Sequence, residues 1–394
     1  MSASQFVSNK AILAGCLLSA AGALVFNAFP QILTAIAIEF QLGEAQVGSL
    51  ISAYMGGCAL LALFAPVWMK VLPWKATAMA AYGVFTCGAI LLVQGGSEML
   101  TSAMFIMGLG SIVLFSISVG VIAAARDPDR GFGLKLTAEM ILGAVMIFVV
   151  AKFVASVFGF SGFVYGMWLL YVATACGILW LPNKSMLGQT QSNHDRLSQS
   201  TKWHAPVAAV ALFLFFGAYT AVWSFAGILG LEHGLIETQI STALTLALLA
   251  GLGGALLCAW LGKSQGHLKP MMIGMALMAL GFLTLTYSQG FLLFVVAICV
   301  INGLLQFVVA YQMGLLAMVD LSGRFTALIA FILASSAALS GDLMGSLIEN
   351  FGLPRAILFA TAAVMVAMGL TALVLVTRKH PQQENRDNMA ANLS

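Results

Sequence analysis

Three charged side chains occur inside long apolar stretches of the sequence, where a charge is costly unless it meets water, a partner or a ligand. They are Glu139, Asp342 and Lys152. A carboxylate in a poorly solvated place can bind and release a proton near neutral pH, so Asp342 and Glu139 are candidates for proton coupling. In the alternative interpretation Glu139 pairs with Lys135, Asp342 is wetted from one membrane surface, and Lys152 extends to the interface or balances an anionic substrate.

Amide and aromatic side chains inside the apolar stretches form a second set, in pairs spaced four residues apart. This spacing places both members of a pair on one face of a helix. We expect the pairs to bind a substrate through hydrogen bonds and ring stacking. The alternatives are hydrogen bonding between helices and, for the aromatic pair, a belt at the membrane interface. The pairs are Asn27 with Gln31, Tyr219 with Trp223, and Asn302 with Gln306.

Twelve apolar runs must position these residues, and each run is long enough to cross a bilayer as a helix. Hydrophobic residues make up 61% of the chain and charged residues only 8%, a balance that excludes a soluble globular domain. The sequence therefore predicts an all-α membrane protein with twelve transmembrane helices. The runs lie at 11–33, 46–69, 76–95, 101–123, 134–156, 163–182, 205–229, 239–262, 269–288, 291–316, 325–347 and 355–377.

The basic residues indicate the orientation of the chain. Twelve spans place both termini on one side of the membrane, and fifteen of the 17 Lys and Arg residues then fall on that side. The exceptions are Lys152 and Arg355. Because loops rich in basic residues stay in the cytoplasm, the sequence predicts cytoplasmic termini. The net charge of +3 reflects this topology, and we expect no nucleic acid partner.

Cysteine and histidine residues give no indication of a cofactor. All six cysteines fall inside predicted spans and form no CxxC pair, so neither a disulfide framework nor a zinc site is indicated. The five histidines lie in loops, at span borders or in the tail, and no Gly-rich phosphate loop follows a strand. We therefore expect no cofactor, no metal, no enzymatic activity and no ATP-driven pump within this chain.

The order of the runs predicts two six-helix bundles separated by a polar segment. The predicted boundaries are 1–182 for the first bundle, 183–203 for a cytoplasmic central loop, 204–377 for the second bundle and 378–394 for a cytoplasmic tail. Identical residues recur at an offset of 193 positions, as expected for a duplication that forms parallel repeats. The matches include Leu42 with Leu235, Glu44 with Glu237, Gln46 with Gln239, Lys70 with Lys263, and Phe158-Gly159 with Phe351-Gly352.

With these repeats the chain resembles the major facilitator superfamily, over nearly its whole length. The stretches that carry the resemblance are 40–48 (FQLGEAQVG), 125–131 (ARDPDRG) and 320–324 (DLSGR). The family's signature after the second helix, Gly-x-x-x-Asp-Arg-x-Gly-Arg-Arg, is eroded here, with Met69 at the Asp position and Lys70 at the Arg position. The resemblance implies gating roles for Lys70 and its repeat counterpart Lys263, with a weakened or rebuilt lock between the halves.

The resemblance also implies a central cavity lined by helices one, four, seven and ten. Helices one, seven and ten carry the amide and aromatic pairs, helix four offers only Ser111, Ser116 and Ser118, and none of the four carries a charged residue. Because burying an unpaired anion is costly, this composition favours an amphipathic or aromatic organic solute, neutral or with one carboxylate. The expected function is secondary transport of such a solute by alternating access.

The direction and energy source of transport follow more weakly from the sequence. Helix one lacks the Asp-Gly-x-Asp pattern of aromatic-acid symporters, and helix five lacks the Gly-Pro-x-x-Gly-Gly turn of proton-driven drug antiporters. The missing turn favours proton-coupled uptake over efflux, which is the first alternative; a non-transporting sensor on the same fold is the second. We expect a monomer in a bacterial inner membrane, with the lipid bilayer, protons and a small organic solute as its partners.

Overall fold

The computed structural model describes residues 8–125, 128–182, 203–261, 268–287, 290–320 and 324–377. The regular structure of these residues is entirely helical. We number the membrane-crossing segments as spans 1 to 12. The first half contains span 1 (Asn9–Asn27 and Phe29–Phe40), span 2 (Glu44–Val71), span 3 (Trp74–Gln94), span 4 (Gly96–Ala123), span 5 (Pro128–Val145, continued by a π-helix Met146–Val154) and span 6 (Ala155–Ala173, continued by a 3₁₀-helix Thr174–Trp180).

The second half repeats the pattern after the central segment, nearly all of which lies outside the described residues, so the proposed domain boundaries stay a prediction. It contains span 7 (His204–Ser224 and Ala226–Glu232), span 8 (Glu237–Leu261), span 9 (Leu268–Thr286), span 10 (Phe291–Val319), span 11 (Arg324–Ala327 and Ile329–Phe351) and span 12 (Leu353–Thr377). We call the membrane side at which span 1 begins the terminal side and the opposite one the far side.

Spans 5 and 6 differ from the prediction because no loop separates them. The chain is helical from Gly131 to Trp180, a stretch of 50 residues. Its direction changes at Gly159, whose φ of 64° and ψ of −157° are not helical. Glycine adopts this positive φ without the steric cost that a Cβ would add. With this stretch counted as one helix, the described residues contain 11 apolar helices long enough to cross a membrane. Because the stretch changes direction at Gly159, we count it as two spans, which gives twelve.

Local backbone geometry recurs at the 193-residue offset. Gln41 and Gly234, the residues that end spans 1 and 7, both have positive φ, 52° and 75°. Each is followed by a leucine whose N–H donates a hydrogen bond of 3.0 Å to a carbonyl of the preceding helix. At the start of spans 2 and 8, a glutamine side chain then accepts a hydrogen bond from the backbone N–H three residues before it. The equivalent bonds are Leu42 to Ala37 and Leu235 to Gly230, and Gly43 to Gln46 and Ile236 to Gln239. The repeat predicted from identities is therefore also a repeat of structure.

The two halves are in close contact on the far side, where the backbones of spans 2 and 11 touch. A Cβ added to Gly341 would lie 2.7 Å from the carbonyl oxygen of Gly48, and one added to Gly345 would lie 2.5 Å from that of Glu44. Spans 1 and 7 approach as closely, because a Cβ on Gly227 would lie 2.5 Å from the carbonyl oxygen of Pro30. The halves are therefore joined along the far side.

Candidate functional site

A proline in span 1 leaves a backbone carbonyl free, and this carbonyl makes a contact between the two halves. Pro30 follows the break at Ala28 and lacks the N–H that would bond to the carbonyl of Phe26 in a regular helix. Nε1 of Trp223, in span 7, donates to this carbonyl at 3.3 Å. The break in span 1 thus supplies a backbone acceptor for a fully buried indole of the other half.

Aromatic side chains of both halves surround this hydrogen bond. Phe26 stacks on Phe216 with ring centroids 5.8 Å apart, and Tyr219 stacks on Trp223 at 6.1 Å. Phe29 packs edge-on against Phe26 at 5.7 Å. We call these five residues the aromatic cluster. Tyr219 is 2% exposed and Trp223 is 0% exposed, so both lie between the halves instead of in a belt at the membrane interface. Such a cluster can stack on a flat ring.

The amides of span 1 connect this cluster to other spans. Nδ2 of Asn27 donates to the backbone carbonyl of Glu139 in span 5 at 3.2 Å. Nε2 of Gln31 donates to Oγ of Ser241 in span 8 at 2.8 Å, a bond between the two halves. The amide pair of span 1 therefore faces both span 5 and span 8.

The amides of span 10 lie together against span 8, around Gly251. A Cβ on Gly251 would lie 2.9 Å from Oδ1 of Asn302 and 3.6 Å from both Cγ of Gln306 and the sulfur of Met140. Asn302 is buried, and its Nδ2 has no hydrogen bond partner. The structure thus brings the amide pair of span 10 to the place where spans 5 and 8 meet, one residue from Glu139.

Glu139 forms a buried charged pair. Its Oε1 lies 2.5 Å from Nζ of Lys135, and both residues are about 5% exposed or less. Oγ of Ser19, from span 1, donates to the same carboxylate oxygen. The ring of Phe115, from span 4, covers Nζ of Lys135 at 4.0 Å. A buried pair of this kind is sensitive to the loss of either charge, because the remaining one is left without compensation.

Asp342 and Lys152 lie in different surroundings. Asp342 is exposed, as are Leu339 and Leu343 beside it, and the structure does not bring it into the buried cluster around Glu139. Its backbone N–H donates to Oγ of Ser52 in span 2 at 2.9 Å. Lys152 is half-buried in the π-helix of span 5, with Nζ 4.9 Å from the ring centroid of Phe148.

Of the two proposed gating lysines, Lys70 is exposed at the terminal end of span 2, and Lys263 lies outside the described residues. Met69, at the position of the family's aspartate, is buried.

Several residues of the site were not predicted from the sequence. Ser19 and Phe115 contact the charged pair from spans 1 and 4, and Phe26, Phe29 and Phe216 complete the aromatic cluster. The sequence did contain one signal, because Pro30 stands four residues after Phe26 and frees its carbonyl. The serine and the phenylalanines carry no such signal in a chain with 26 phenylalanines.

The comparisons with known proteins identify the fold. No protein-family model and no curated protein matches the chain. Among solved structures, the chain is similar to a point mutant of the nucleoside transporter NupG, with a TM-score of 0.72 and 15% identity over 92% of this chain and 99% of that one. It is also similar to NupG without the substitution, with a TM-score of 0.67 and 16% identity over 94% and 100% of the two chains. The predicted major facilitator fold is confirmed.

Proposed function

Proceeding from this fold, we propose that the protein is a secondary transporter that takes up a small aromatic or amphipathic solute together with protons. The observation that carries the proposal is the position of the aromatic cluster between the halves, joined through Asn27 to the backbone carbonyl of Glu139, whose carboxylate is buried. A site between two halves that move relative to each other can be exposed to each membrane side in turn.

The side chains of the site support a neutral substrate with a flat ring. The aromatic cluster offers stacking surfaces, Asn302 offers an amide donor without a partner, and Gln306 lies beside it, half-buried. The charges nearest to the site, Glu139 and Lys135, neutralise each other. A nucleoside combines a flat ring with several hydroxyl groups and is neutral. Since NupG is named as a nucleoside transporter, nucleosides are the first substrates to test, followed by aromatic monocarboxylates.

Glu139 is the proton-coupling residue that the contacts favour, with Asp342 as the second candidate. A proton bound by Glu139 would leave the ammonium group of Lys135 buried without a counter-charge, which is unfavourable. The start of span 5 would then have to shift so that Lys135 reaches water. Because Asn27 holds the backbone of Glu139, such a shift is transmitted to span 1 and so to the aromatic cluster.

In this proposal the far side is closed in the described structure, and the terminal side is the side that opens. Under the positive-inside rule the terminal side would be the cytoplasmic one. The proposal also places the chain in a bacterial inner membrane, as a monomer. Lys70 and Lys263 would act on the terminal side, where they would hold the halves together when the far side opens.

Proteoliposomes test the proposal. Purified protein is reconstituted with an imposed pH gradient, and the uptake of labelled nucleosides and aromatic acids is measured. The wild type is expected to accumulate its substrate inside vesicles with an alkaline lumen. Glu139→Gln is expected to abolish accumulation and to keep exchange of labelled for unlabelled substrate, since exchange needs no net proton movement.

Asp342→Asn serves as the test of the second candidate, and Glu349→Gln, an exposed carboxylate on span 11, serves as the matched control. Accumulation that survives both Glu139→Gln and Asp342→Asn would overturn proton coupling through these carboxylates. Accumulation with an acidic lumen instead would establish efflux, and no movement of any solute would favour the sensor.

A further inference from the structure

One cavity among the described residues lies away from the candidate substrate site. It has a volume of about 720 Å³ and is a groove between spans 8, 9 and 10. Four of its apolar lining residues are 39% to 60% exposed: Leu257, Ile273, Leu277 and Val300. Exposed apolar side chains on membrane-crossing helices face lipid, so the groove opens toward the bilayer.

Glycines create the groove. A Cβ on Gly254 would overlap the carbonyl oxygen of Gly303, which shows that the backbones of spans 8 and 10 touch. A Cβ on the neighbouring Gly253 would meet nothing within 4 Å. Gly253 therefore forms the floor of an open trough that any larger residue would fill. Its volume lies within the range of about 300–1,000 Å³ that small-molecule sites occupy.

Among the described residues that line the groove, the charged side chain lies at one end. Lys269 is the one lysine among the fifteen described residues that line it, and the remaining lining is aliphatic, aromatic, glycine, proline or cysteine. Lys269 is exposed in the first turn of span 9, at the terminal side. The N-terminus of a helix carries partial positive charge, which adds to that of the ammonium group. An apolar trough with a cation at the membrane boundary matches the two parts of an anionic lipid.

We propose that this groove binds one anionic phospholipid of the terminal-side leaflet. Its acyl chain lies along Gly253 and Gly274, and its phosphate pairs with Lys269. Anionic lipids are attracted to basic residues next to the membrane surface. The site is independent of the proposed transport function, because it uses none of the residues between the halves.

Native mass spectrometry tests the site. The purified protein is incubated with equal amounts of phosphatidylglycerol and phosphatidylethanolamine that carry the same acyl chains, and the lipid retained on the protein is counted. The wild type is expected to retain phosphatidylglycerol about fivefold over phosphatidylethanolamine, the factor that one basic side chain near an anionic lipid contributes. Lys269→Gln is expected to remove this preference and keep retention. Gly253→Leu is expected to remove retention of both lipids.

Lys75→Gln is the matched control, because Lys75 occupies the first turn of span 3 as Lys269 does that of span 9. It is expected to keep the preference of the wild type. Size-exclusion profiles and thermal unfolding identify any variant that fails to fold, and a second filling variant at the same open position, Gly253→Met, replaces Gly253→Leu if needed. Equal retention of the two lipids by the wild type, or an unchanged preference in Lys269→Gln, would overturn the proposal. Displacement of bound lipid by a transported solute would assign the groove to substrate instead.

Discussion

Trp223 combines two roles at the level of the single residue, since its indole stacks on Tyr219 and its N–H reaches the carbonyl of Phe26. We therefore expect Trp223→Ala to weaken substrate binding at least about tenfold, which corresponds to about 1.4 kcal/mol. Trp223→Phe keeps a ring and loses only the hydrogen bond, so its effect should be about threefold. The concentration dependence of exchange in proteoliposomes measures both effects. An unchanged affinity in Trp223→Ala would exclude the aromatic cluster as the binding site.

Glu232, at the far end of span 7, predicts a pH dependence of stability. Its side chain is exposed at the far-side surface. Partial desolvation raises the pKa of its carboxyl group, and the negative charge of Glu44 in the other half raises it further. A carboxyl with a raised pKa binds its proton more tightly in the folded protein, so stability increases as pH falls through that pKa toward the ordinary value. The far-side contact between the halves should therefore strengthen in mild acid.

Thermal unfolding of wild type and Glu232→Gln between neutral pH and about pH 4.5, the ordinary carboxyl range, measures this effect. The wild type should gain stability relative to the variant as pH falls. His233 remains in both proteins, so its own lowered pKa, caused by burial, cancels in the difference. Glu349→Gln controls for the change in net charge. A difference that does not vary with pH would contradict the assignment.

The residues of the charged pair show what the sequence reveals at this scale and what it does not. The spacing of Lys135 and Glu139 indicated their pairing as one of two interpretations, because residues four apart lie on neighbouring turns of one helix face. Their burial by Ser19 and Phe115 depends on how spans 1 and 4 pack against span 5, and no local pattern encodes that packing. The unpartnered amide of Asn302 could likewise be named as a candidate from the sequence, but its position against Gly251 could not.

At the level of elements, the contact of spans 2 and 11 controls whether the far side can stay closed. Gly48→Val would place a side chain against the backbone of Gly341, and we expect it to favour the state in which the far side is open. Gly56→Val is a matched control on the same helix, because a Cβ at Gly56 meets nothing within 4 Å.

Labelling of Ser52→Cys by a membrane-impermeant thiol reagent measures this opening. Ser52 contacts span 11 through the carbonyl of Ala338, so the introduced thiol is protected while the far side is closed. A faster reaction in the Gly48→Val background, at least about fivefold, is expected, with no change in the Gly56→Val background. Equal rates in all three backgrounds would show that this contact does not hold the far side closed.

The elements themselves followed from apolar run lengths, with differences at special backbone positions. The run lengths predicted a loop between 156 and 163, where the structure has only a turn at Gly159. The π-helix Met146–Val154 was also not predicted, because its sequence reads as an ordinary apolar helix. Both features depend on backbone conformations for which composition carries no signal, although glycine permits the first.

For the whole molecule, the sequence predicted the fold well because bilayer thickness and charge distribution restrict membrane proteins more strongly than soluble ones. The repeat was visible as a few identities at one offset, and the structure extends it to hydrogen bonds at the same offset. The relative position of the halves lay beyond prediction, since it depends on contacts such as that of Gln31 with Ser241.

This last contact has no counterpart at the equivalent positions of the other edge. The offset maps Gln31 onto Ser224 and Ser241 onto Gly48, so the equivalent pair on the other edge would be Ser224 with Gly48. There the hydroxyl of Ser224 has no partner, and Gly48 packs against span 11 instead. Two identical six-helix chains would repeat every contact about their two-fold axis. The halves of one chain are free of that restriction, and here one edge has a hydrogen bond while the other packs closely.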